Sequence, residues 1–76
     1  MATFEMMARK HWPKYLPEMT RQLKEAGTYE ETLMEAVDQA KSELARRVSR
    51  GEHPEIVKED VAREYILLDP ETEEED

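Results

Sequence analysis

T-Y-E-E-T-L-M-E-A-V-D-Q-A-K-S-E-L-A-R-R-V-S-R-G, running from Thr28 to Gly51, is the stretch whose reading decides the fold. Thr28 reads as an N-cap, and Glu31 follows it at capping-box spacing. Gly51 supplies the left-handed backbone that closes a helix. Between them Leu33, Val37, Ala40, Leu44 and Val48 recur every three or four residues, which aligns them on one helix face. Acids lead (Glu30, Glu31, Glu35) and bases finish (Arg46, Arg47, Arg50), the order that the helix dipole favours.

Upstream of this helix, Gly27 ends an element that Pro17 begins, since proline suits a first helical position. Leu16, Met19, Leu23 and Ala26 form its apolar stripe. The turn at Gly27-Thr28 is so short that the two helices must diverge or pack as a hairpin. Before them, Thr3 caps a first helix from Phe4 to about His11, with Phe4, Met7, Ala8 and His11 on one face. Trp12-Pro13 interrupts or kinks it, because proline lacks a donor and restricts the residue before it.

Downstream, Glu52-His53-Pro54-Glu55 resets the chain and Pro54 starts another helix. Val57, Val61, Tyr65 and Leu68 give it an apolar stripe, with Ile56 included. Tyr65-Ile66-Leu67-Leu68 reads as a last helical turn or a short extended segment, and Asp69-Pro70 ends it. The remaining acidic residues carry nothing apolar and read as disordered. The expected fold is therefore all-α: three to four helices around the 28–50 helix, in a domain over 1–68 followed by an acidic tail over 69–76.

Seventy-six residues make one domain, and a core of that size rarely supplies more than roughly 3–5 kcal/mol. With no cysteine there is neither a disulfide nor a thiolate metal ligand. No apolar run approaches the ~20 residues of a membrane span, and no signal-peptide pattern opens the chain. A cytoplasmic protein is the expectation, and a homodimer would bury more of the helix faces. The net charge of −8 conceals a gradient. Residues 1–24 hold five bases and two acids, a surplus of +3, and residues 25–50 sum to −2. Residues 51–76 hold two bases and eleven acids, giving −9. Such asymmetry points to an electrostatic partner, or to attraction between the two ends of the molecule.

Catalytic chemistry finds little support. Ser42, Ser49, Thr3, Thr20, Thr28, Thr32, Thr72, His11 and His53 are present, but no nucleophile elbow or phosphate-binding glycine loop surrounds them. No Glu-x-x-His pair suggests a di-metal site. Glu31, Glu35 and Asp38 read as a solvated helix face, and neither a cofactor nor a metal is expected. Two charged regions are the binding candidates. The first interleaves Arg9, Lys10 and Lys14 with Trp12 and Tyr15 and is joined by Arg21, a pattern that single-stranded nucleic acid binding uses. The second is the acidic run Glu52, Glu55, Glu59, Asp60 and Glu64, which presents a phosphate-like field to a basic groove. A helix-turn-helix over 17–51 is opposed by the acids that open its second helix, since phosphates repel them.

The order His11-Trp12, Tyr15, Pro17, Met19, Leu23, Gly27, with Glu64-Tyr65-Ile66-Leu67-Leu68 later, resembles the TnpV family of small phage- and transposon-encoded proteins over about residues 8–70. The resemblance implies a bacterial phage or mobile-element setting and an accessory or host-interaction role, and carries over no site residues. The leading expectation is a non-catalytic acidic protein that binds a basic surface of a host nucleic-acid-handling protein, as an anti-CRISPR inhibitor would. The alternatives are a nucleic-acid-binding accessory protein using the basic segment, and a homo-oligomeric structural protein using the 33/37/40/44/48 stripe between chains.

Overall fold

The computed structural model describes residues 3–71, which form four α-helices and no strand. α1 spans Phe4–Tyr15, α2 Pro17–Ala26, α3 Tyr29–Ser49 and α4 Pro54–Val61, with a π-helical turn at Ala62–Ile66 continuing α4. The 21-residue α3 touches every other element, whereas α4 touches neither α1 nor α2. The all-α arrangement around a long central helix is therefore present. Leu33, Val37 and Ala40 of its stripe are buried and Leu44 packs against them. Four of the five stripe residues are thus engaged inside the monomer, and the fifth, Val48, is half-buried outside that cluster.

Trp12-Pro13 does not interrupt α1, which continues as helix to Tyr15. Proline inside a helix costs about 3 kcal/mol. Continuing the helix brings Trp12 and Leu16 onto the ridge started by Phe4 and Ala8, and all four are buried. Each large apolar side chain buried contributes about 1.5–3 kcal/mol, so Trp12 and Leu16 together offset the proline. The indole sits edge-on to Tyr29, with ring centroids 6.3 Å apart, and its Nε1 donates to the Ile66 carbonyl at 2.9 Å. The break comes instead at Leu16 (φ −129°, ψ 56°), which Pro17 keeps out of helical angles.

The two glycines end helices in the same way. At Gly27 (φ 77°) the N–H bonds to Lys24 and that of Thr28 reaches back to Leu23; at Gly51 (φ 97°) the partners are Val48 and, from Glu52, Arg47. Both are Schellman closures, which need a left-handed residue. The first undoes the expected capping box. Because the Thr28 amide is committed to Leu23, its backbone stays at ψ 13° rather than extended, and its side chain caps nothing. Thr3, at ψ 167°, does cap α1 by accepting from the Met6 amide at 3.1 Å.

After Val61 the expected stripe shifts by one residue. The Leu67 amide bonds to the Ala62 carbonyl at 2.7 Å, closing one turn with an extra residue. Ile66 therefore takes the core place expected of Tyr65, and Ala62 joins Val57 and Val61 in the interior. Tyr65 and Leu68 are half-buried, while Ala26 and Ile56 lie exposed. The folded part also runs past the expected boundary after Leu68. The Glu71 amide donates to the Tyr15 carbonyl at 3.0 Å. The rest of the expected tail, 72–76, lies outside the described residues.

Candidate functional site

On the basic side, α1 distributes its residues over different faces. Trp12 points into the core and cannot serve as a stacking platform. Arg9 forms a fork with Glu30 at 2.6 and 2.9 Å and also pairs with Glu5. The Glu30 bond, ahead of that from Glu5, raises the Arg9 pKa, and Arg9 lowers that of Glu30 in return. Arg21 is engaged by Glu18 and, at 3.1 Å, by Glu25. Of the six expected basic-surface residues, Trp12 is thus buried and Arg9 and Arg21 are engaged in ion pairs.

Lys10, Lys14 and Tyr15 remain, and the fold adds residues that the sequence reading had not assigned to this surface. Met7, His11 and Leu67 join them around a shallow cavity of about 420 Å³. The His11 and Tyr15 rings lie 4.7 Å apart, and Lys14 Nζ sits 5.2 Å from the Tyr15 ring. His11 Nε2 lies 2.8 Å from the Leu68 carbonyl oxygen; a carbonyl only accepts, so Nε2 carries the proton. The signal in the sequence was the four-residue spacing of Lys10 with Lys14 and of His11 with Tyr15, which puts each pair on adjacent helix turns.

On the acidic side, α4 begins where His53 Nδ1 accepts from the Glu55 amide at 3.2 Å. Its five expected binding acids divide into two groups. Glu52 is bonded by Arg47 and Arg50, and the Arg47 bond leads in lowering its pKa. Asp60 lies 3.5 Å from Arg47 and 4.0 Å from Arg63. Glu55, Glu59 and Glu64 are exposed and make no ion pair among the described residues. Ile56 lies among these acids, 62% exposed. Helical spacing puts Glu59 and Asp60 one turn after it, and Glu52 precedes the helix. Val57 and Val61 hold the opposite face in the core, which fixes the side that Ile56 presents.

No protein-family model, curated protein or solved structure matches the chain.

Other surface cavities have less chemistry to offer. One of about 420 Å³ is lined by Pro13, Pro17, Thr20, Arg21, Lys24 and Glu25, and one of about 480 Å³ by Asp38, Gln39, Ser42, Glu43, Arg46 and Tyr65. Neither places a hydroxyl beside a histidine. Among the described residues no three His, Asp or Glu side chains are grouped to hold a metal ion, and no helix is long and apolar enough to cross a membrane.

Proposed function

We propose that the protein is a non-catalytic interaction module that docks its α4 face onto a basic surface of a nucleic-acid-handling protein. The observation that carries this reading is Ile56, an exposed isoleucine within a ring of carboxylates of which Glu55 and Glu59 lack an internal cation. An apolar centre with a charged rim is the anatomy of a protein interface: the centre supplies binding energy, and the rim supplies encounter rate and selectivity. Glu64, within the π turn, extends the field past the end of α4. A phage or mobile-element origin, a cytoplasmic setting and an inhibitory role of the anti-CRISPR kind belong to the same proposal; they rest on the resemblance and the charge gradient described above.

The test is capture from bacterial lysate by tagged protein, with and without nuclease, using wild type and the combined Glu55→Gln, Glu59→Gln, Glu64→Gln variant. A nuclease-resistant partner with a basic groove is expected. The variant should bind it about tenfold or more weakly, with a flatter salt dependence. Equal capture by the variant refutes the reading. Recovery of nucleic acid alone would move the function to Lys10, Lys14 and Tyr15.

A further inference from the structure

Two surfaces of this chain complement one another and lie apart in the fold. One is the α1 groove. Met7, Leu67 and the Tyr15 ring give it apolar surface, and Lys10, His11 and Lys14 complete its lining. The other is the α4 face, with Ile56 between Glu55 and Glu59. All six arginines form ion pairs among the described residues, whereas none of the five lysines does, Lys10 and Lys14 included. The two lysines and the two glutamates are each spaced four residues apart on a helix, so each pair projects from consecutive turns of its own helix. A branched aliphatic side chain is small beside a recess of about 420 Å³. Within one molecule the α1 and α4 backbones do not come together. A pairing of the groove with this face would therefore be made between molecules.

We propose that a second copy of this chain occupies the α1 groove, inserting its Ile56 over Met7, Tyr15 and Leu67 while Glu55 and Glu59 pair with Lys10 and Lys14. The contact is heterologous: each molecule offers its groove to one neighbour and its α4 face to another. Self-association grows with concentration and weakens as salt screens the two charge pairs. It also covers the α4 face, so a basic partner competes with the next copy for it. This inference uses the same face as the interaction reading above.

Two exposed-surface variants test it. Lys10→Glu with Lys14→Glu keeps the α4 face and spoils the groove. Ile56→Lys keeps the groove and spoils the face. Sedimentation equilibrium at low salt should show the wild type associating. Each variant alone should associate at least about tenfold more weakly, and a mixture of the two should form a one-to-one heterodimer. Heterodimer formation also shows that both variants are folded. A monomeric wild type, a mixture without heterodimer, or association that survives both changes overturns the inference. Because the Lys10→Glu, Lys14→Glu variant retains the α4 face, its capture of a basic partner is scored separately. Partner capture with no self-association removes only the present inference, and self-association with no partner removes only the proposed function.

Discussion

Glu71 lies 53 residues from Glu18, yet its carboxylate completes the start of α2. Oε1 accepts from the Glu18 amide at 3.1 Å and Oε2 from the Met19 amide at 2.8 Å. The residue at the helix start is Leu16, which has no oxygen with which to cap, so the first-turn amides would otherwise have only water. A negative carboxylate there also meets the positive end of the helix dipole. Glu71→Ala is expected to destabilise the protein by about 1 kcal/mol, the usual loss for a cap. Glu71→Gln, which keeps one acceptor oxygen, should fall between it and wild type. Urea unfolding gives the ranking, and hydrogen exchange at the Glu18 and Met19 amides locates it. Unchanged unfolding midpoints with unchanged exchange would show that the contact contributes nothing. No local pattern announces such a cap. The sequence carries only its negative trace, a helix that opens on Leu16-Pro17 without Ser, Thr, Asp or Asn.

The π turn at Ala62–Ile66 explains at the level of an element why the α4 stripe leaves the regular helical period. A period of 3.6 carried from Val57 through Val61 leads to Tyr65, whereas the structure buries Ile66. One additional residue in a turn produces that displacement. Deleting Arg63, which is exposed and only 4.0 Å from Asp60, should convert the turn to regular α-helix and leave Ile66 four positions after Val61. Its loss of stability should be a minor part of the roughly 3–5 kcal/mol available to a core this size. Deleting Lys58 instead rotates Val61, Ala62 and Ile66 off the core face and should unfold the chain. Thermal melts followed by circular dichroism separate the two, and an unfolded Arg63 deletion would refute the account. What was legible follows the same logic. Helix ends carrying glycine, and stripes within one regular helix such as Leu33, Val37 and Ala40, can be read because the information is local. The passage of α1 through Pro13 could not be, since it depends on Trp12 finding the Ile66 carbonyl across the fold. The site divided likewise. Sequence assembled the acidic run and the basic segment, but only the fold tells which charges remain free. Arg9 goes to Glu30, and Glu52 goes to Arg47.

The charge pattern of the whole molecule makes its stability respond to acid in a definite direction. Three carboxylates, Glu30 exposed and Glu43 and Glu52 half-buried, have folded pKa values below the ordinary 4.5: Glu30, bonded by Arg9; Glu43, bonded by Arg46; and Glu52, bonded chiefly by Arg47. Arg9–Glu30 joins α1 to α3, whereas Arg46–Glu43 lies along α3 and Arg47–Glu52 fastens the chain just beyond its end. A carboxylate with a depressed folded value binds protons more readily when unfolded, so acid favours the unfolded chain. Its contribution is complete above the ordinary value of 4.5 and is lost as pH falls through the lower folded values. The melting temperature should therefore decline on acidification through that window. High salt should shrink the decline, because all three pairs face solvent. Glu30→Gln removes the α1–α3 tether and should flatten part of the pH dependence while lowering the melting temperature at neutral pH. Melts across this pH range, at low and high salt, provide the check. A melting temperature that holds constant or rises as the pH drops below 4.5 would mean that these pairs do not stabilise the fold.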